Sequence, residues 1–146
     1  MHELAQIEDI VITALTPLIS NIGVKTLAAY TGQFDVDGAE KIIVQFPCIY
    51  VAPAETIIPE NSQTKRLLIN FSVFVGDRNT RSDQAVMRGD AYSPGVYSLL
   101  EETKQKLHNK KLISGFRSFK LKSERPLFFA PQKRMCLYEA IYQTEV

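Results

Sequence analysis

Leu67-Leu68-Ile69-Asn70-Phe71-Ser72-Val73-Phe74-Val75 is the stretch from which the fold is read. Successive side chains of an extended strand point to opposite faces, so Leu67, Ile69, Phe71, Val73 and Val75 share one side while Arg66, Asn70 and Ser72 fall on the other. That is the two-residue period of a half-buried strand, and Gly76-Asp77 is expected to end it. Upstream, Pro47 to Val51 reads as a buried strand stopped by Pro53, and Val24 to Tyr30 as a shorter strand closed by Thr31-Gly32. Asp35, Asp37 and Gly38 mark a loop leading into a brief helical turn from Ala39 to Val44, and Pro59-Glu60-Asn61-Ser62 marks a turn or exposed loop tip. Downstream, Phe116 to Lys122 alternates as a strand with one basic edge or face, and Met135 to Thr144 reads as the last strand.

The helical signals surround this sheet. Leu4, Ile7, Val11, Ala14 and Leu18 recur at spacings of three and four, which predicts an amphipathic helix from residue 3 to about 20, kinked or ended near Thr16 by Pro17. Residues 79–92 are helix-like, with Ser82 as a cap residue and a break near Gly89. Ser93-Pro94 is a second start signal, followed by the stripe Val96, Leu99, Leu100, Thr103 and Leu107. Three strands, a helical section and two more strands, introduced by a helix, predict an α+β fold. Its sheet is antiparallel or mixed, with an N-terminal helix and a central helix or helix pair on one side.

At 146 residues, the chain fits a single domain, 1–146. The start Met1-His2-Glu3-Leu4 carries no basic region before an apolar stretch, and no run approaches the roughly 18 apolar residues of a membrane span, so neither secretion nor insertion is expected. Cys48 and Cys136 each sit in an apolar, strand-like stretch and are expected to be buried thiols, not a disulfide. The net charge of +1 hides an asymmetry: residues 1–60 carry −6 and residues 104–134 carry +9. Such polarity can steer a partner or a polyanion.

Catalytic chemistry leaves little trace. The only histidines are His2 and His108, the latter near a predicted helix C-terminus, where the helix dipole accounts for it. No His-Glu-x-x-His, Cys-x-x-Cys, acidic calcium loop, phosphate-cradling glycine motif or nucleophile elbow is present, so no catalytic residue, metal or cofactor is expected. One charged cluster, Asp77, Arg78, Arg81, Asp83, Arg88 and Asp90, surrounds the strand-to-helix junction. Arginines there can bind an anion, but the alternating signs favour ion pairs within or between subunits. The basic run Lys104, Lys106, Lys110, Lys111, Arg117, Lys120, Lys122 and Arg125 is interleaved with Phe116 and Phe119, which suits nucleic acid by backbone charge and base stacking. Equally, lysines at a helix end complement its dipole, and lysines on an edge strand discourage unwanted pairing.

Taken in order, the amphipathic first helix, Phe46-Pro47-x-x-Tyr50-Val51, Asn79-x-Arg81 after the alternating strand, the Gly89 break, Gly95-x-Tyr97-x-Leu99-Leu100 ending in Leu107, and the closing strand resemble the tail-terminator proteins of Mu-like phages and prophages. The resemblance spans nearly the whole chain and rests on order and spacing. It implies a non-enzymatic α+β subunit of a homo-hexameric ring at the head-proximal end of the tail. The ring would stop tube polymerisation, meet the tail tube protein on one rim and a head-completion or neck protein on the other, and let DNA pass through its channel. The implied setting is the host bacterial cytoplasm during assembly, then the virion tail. On this reading Arg78, Asn79, Arg81, Asp83, Arg88 and Asp90 are subunit-interface candidates. The residues Lys104, Lys106, Lys110, Lys111, Arg117, Lys120 and Lys122 face the channel or a partner. Residues 53–64 match no motif and are the kind of loop that carries partner contacts. The alternatives are another head–tail connector or neck subunit, a small basic nucleic-acid-binding module, and a small enzyme with a site assembled between subunits.

Overall fold

A computed structural model describes residues 3–31, 45–58, 67–79, 83–130 and 134–146. The expected turn at 39–44, the loop tip at 59–62 and the Ser82 cap lie outside them. The elements are α1 (Glu3–Leu15), α2 (Leu18–Asn21), β1 (Thr26–Ala29), β2 (Cys48–Ile57), β3 (Leu68–Arg78), α3 (Asp83–Arg88), α4 (Val96–Leu107), β4 (Lys120–Ala130) and β5 (Met135–Glu145). The five strands form one mixed sheet in the order β1-β2-β3-β5-β4, in which only β1 and β2 run parallel. This is the predicted α+β architecture.

The alternation of β3 decides where everything else sits. Its Ile69, Phe71, Val73 and Val75 are buried in one cluster with Ile7, Val11 and Leu15 of α1, Val96, Leu99 and Leu107 of α4, and Ala140 and Tyr142 of β5. The helices that contact the sheet therefore cover the same face: α1 lies over β1 and β2, while α4 lies over β3, β4 and β5. Phe71 anchors the centre, edge-on to Phe119 at 5.2 Å and stacked on Tyr142 at 5.7 Å between ring centres. On the opposite face, Cys48, Tyr50 and Leu137 form a smaller cluster with Ala28, Tyr30, Phe46 and Phe74.

Helix boundaries reflect local chemistry. α1 stops at Leu15 because Pro17 cannot continue its hydrogen-bond ladder; Pro17 instead adopts helical angles as the cap of α2. All five residues of the stripe predicted for α4 are buried. α4 begins later than its start signal: Gly95, at φ 82°, occupies the cap position, and Ser93 is drawn away to another partner. The helix expected over 79–92 is confined to Asp83–Arg88 among the described residues.

Strand boundaries were harder to foresee. β2 runs through Pro53 to Ile57, with a register shift between Pro53 and Glu55. β1 reaches only as far as Val51, so beyond that point β2 has one neighbour among the described residues, and a residue without an N–H fits such an edge. β3 continues through Gly76 and Asp77 to Arg78, paired with β5 throughout. Gly76 is required there by packing: a Cβ would come within 2.6 Å of the Leu137 side chain and 2.9 Å of the Cys48 sulfur. The strand expected from Phe116 starts only at Lys120. Before that the chain folds back on the end of α4, with the Phe119 N–H donating to the Lys110 carbonyl and the Asn109 N–H to the Phe119 carbonyl. Both Phe116 and Phe119 are thereby buried.

The two thiols lie on opposite faces of the sheet. Cys48 is in register with Gly76, and Cys136 with the next residue of β3, Asp77, so no disulfide can join them. Burial, with the charge of Asp77 adding to it, pushes the Cys48 thiol up to about 12; burial pushes that of Cys136 to about 11. Both should resist a thiol-specific chromogenic reagent in the native protein at neutral pH and react once the chain is unfolded in denaturant. Rapid modification of either thiol in the folded state would contradict this packing.

Candidate functional site

The charged cluster around the strand-to-helix junction is organised by Asp77. It continues the core-facing positions of β3, and it is fully buried at the point where the sheet ends and α4 begins. Its Oδ1 accepts the Arg78 N–H at 2.8 Å and its Oδ2 accepts the Gly95 N–H at 2.7 Å. The carboxylate thus satisfies a backbone donor at the start of α4 that no side-chain cap reaches. Burial raises the Asp77 pKa above its ordinary 3.8 and the nearby Asp90 charge adds to this, against donation from Arg78, Gly95 and the Ser93 hydroxyl.

A second layer fixes the 89–95 turn. The Asn79 amide donates to Asp90 Oδ2 and to Ser93 Oγ, each at 2.9 Å. The Oδ1 of Asp90 accepts the N–H groups of Tyr92 and Ser93, and the Asp90 N–H donates to the Ser93 carbonyl. Gly89 and Gly95 let two backbone segments touch: a Cβ on Gly89 would lie 2.1 Å from the Pro94 carbonyl oxygen, and one on Gly95 2.3 Å from the Gly89 nitrogen.

This geometry divides the predicted interface candidates. Asn79 is buried and its amide is held within the chain, as are the carboxylate oxygens of Asp90. Arg78 and Arg88 are exposed; Asp83 opens α3, and Arg81 lies outside the described residues. Sequence reasoning did not place Tyr92 or Tyr97, which are 71% and 48% exposed, among the interface candidates. The signal was available: two tyrosines flank Gly95 shortly after Arg88, a composition enriched in protein-binding hot spots.

The basic residues occupy a separate region. Lys104 and Lys106 sit in the last turn of α4, as the dipole argument requires. Lys110, Lys111, Arg117, Lys120 and Lys122 are exposed. Lys111, Arg117 and Lys120 border an open groove of about 700 Å³ with Gly115, Gln143 and Glu145. Arg117 faces Glu145 at 3.6 Å, and the Lys120 ammonium donates to the Asn109 side chain. His108 ties the end of α4 to β4, its Nδ1 accepting the Leu121 N–H at 2.9 Å. With Phe116 and Phe119 in the core, the base-stacking platform suggested by their position between lysines does not exist. A further ionic site went unnoticed in the sequence: Glu139, buried on the helix-free face, accepts from Ser72 Oγ at 2.8 Å and from Arg125 Nε at 2.7 Å.

Substitution checks both features of the junction. Asp77→Ala leaves the Gly95 and Arg78 donors without their carboxylate, and should lower stability by about 2–4 kcal/mol in urea unfolding. Because the folded state holds the Asp77 proton more tightly than the unfolded chain does, its contribution is fully present below pH 3.8 and declines as pH rises through the raised value. Asp77→Asn, which cannot titrate, should lack that decline in a pH series. Separately, Gly95→Ala forces a side chain into backbone at a positive φ and should cost about 1–3 kcal/mol in the same urea unfolding.

No helix is long and apolar enough to cross a membrane among the described residues. Among curated proteins, none matches the chain. A family model, Bacteriophage Mu, Gp37, matches residues 3–145. With the match running from the first turn of α1 to the last residue of β5, the chain belongs to the Bacteriophage Mu Gp37 family and is a Mu-like phage structural protein.

Proposed function

We propose that this protein is a tail-terminator subunit that closes into a homo-hexameric ring at the head-proximal end of the tail. The ring stops tube polymerisation and joins tail to head. Its role is structural: it acts by surface complementarity and catalyses nothing. The observation that carries this reading is the α3–α4 turn, where exposed Arg88, Tyr92 and Tyr97 stand on a backbone clamped by Asp77 and Asn79. Aromatic and arginine side chains held on a rigid support lose little entropy on docking, which is how a small surface becomes an anchor.

A head-to-tail ring also needs two unlike surfaces on each subunit. The far half of β2, with Ile57 and Ile58 exposed, and the outer strand β4, with Leu127 exposed, stand on opposite sides of β3 in the sheet order and support such an arrangement. In the assembled ring one rim meets the tail tube protein and the other a head-completion or neck protein, while DNA passes along the axis. Assembly takes place in the host bacterial cytoplasm and the ring remains in the virion tail. Arg78 and Arg81 belong to the same contact as Arg88.

Light scattering across a concentration series tests this. The expected result is a species of about six subunits, or a monomer converting to it as concentration rises. The double variant Arg88→Ala/Tyr92→Ala should shift that conversion at least tenfold upward in concentration with an unchanged melting temperature. A monomer at every concentration, even with tail tube protein added, would defeat the ring reading. A ring insensitive to the double variant would move the contact elsewhere.

A further inference from the structure

The groove bordered by Lys111, Arg117 and Lys120 has a different character from the α3–α4 turn. Among the described residues lining the groove with those three cations, Glu145 is the one acid, and it lies 3.6 Å from Arg117. The groove is open, and the Arg117 side chain is 62% exposed. A site for a small anion would hold its donors buried and converging, so the arrangement suits an extended partner that brings charge along its length. Lys104, Lys110 and Lys122 are exposed as well.

The nature of that partner is indicated by what the groove lacks. None of the large exposed hydrophobic residues, Ile19, Ile57, Ile58, Tyr92, Tyr97 and Leu127, lines it among the described residues. Protein partners are held by apolar anchors seated in pockets, whereas nucleic-acid interfaces are more polar and more basic. Phe116, which lines the groove, is buried and offers no open face for a base, which disfavours a single strand read by stacking. Ser118 and Gln143, also at the groove, add neutral polar groups of the kind that contact phosphate oxygens.

We propose that this groove seats the phosphodiester backbone of duplex DNA without regard to sequence. The inference rests on the terminator reading only for the presence of DNA beside the protein; binding itself needs no ring. Each phosphate neutralised by a cation releases counterions, so the binding constant falls with salt by about 0.9 logarithmic units per decade per contact.

The test is fluorescence anisotropy of a labelled random-sequence duplex titrated with the full chain between about 50 and 200 mM salt. Lys111→Ala/Arg117→Ala/Lys120→Ala should bind more weakly and make the slope shallower by about 2.7, the share of three phosphates. Glu145→Gln, which removes the acid facing Arg117, should bind more tightly, an effect that misfolding would not produce. An unchanged slope in the triple variant overturns the inference. So does failure of the wild type to bind duplex at the lowest salt, or tighter binding of a poly-glutamate peptide than of DNA. Light scattering on the same samples separates the two readings: a ring indifferent to DNA overturns this inference alone, and a monomer binding with the expected slope overturns the ring alone.

Discussion

The burial of one face of β3 is the constraint on which the structure depends. Ile69, Phe71, Val73 and Val75 exclude water only if something apolar lies over them, and α1 and α4 supply it from the same side. A fully buried aliphatic or aromatic side chain contributes about 1.5–3 kcal/mol, so this row outweighs any single polar contact in the molecule. The same face ends on a charged group. Asp77 occupies the next core-facing position, and its burial is tolerable because both oxygens accept backbone N–H groups. The core and the α3–α4 junction are in this sense one feature, with the apolar row setting the position and the carboxylate fixing where α4 begins.

What was legible in the sequence was whatever periodicity alone decides. The faces of β3 and the stripe of α4 emerged as read because their partners are apolar whatever their identity. The break at Pro17 was equally local. Errors arose where a neighbour decides. Pro53 sits within β2 because β1 stops short, Gly76 sits within β3 because Leu137 and Cys48 crowd it, and Ser93 is not the helix cap because Asn79 claims its hydroxyl. Phe116 and Phe119 looked like alternating strand residues, yet both turn inward because the segment folds back onto Lys110 before entering the sheet.

The candidate sites show the same division. The sequence places the charges of the junction close together but cannot separate inward Asp77 and Asn79 from outward Arg78 and Arg88, since that requires knowing how the end of β3 and α3 sit against the core. Glu139 was hidden for the same reason. Its partners Ser72 and Arg125 are distant in sequence and meet only through the β3-β5-β4 register. For a phage structural protein of the Gp37 family this separation has a use: the polar groups that hold the frame are distinct from those left at its surface.

The bond from Asp77 to the Gly95 N–H also bears on how the protein responds to load. One carboxylate grips the end of the central strand and the start of α4, and both donors to it are backbone N–H groups. A displacement of the start of α4 is therefore felt directly at the end of β3. Strain is taken up instead where, among the described residues, strands have a neighbour on one side only, along β1, along β4 and along β2 beyond Val51. A molecule built this way is stiff through its middle and compliant at its margins.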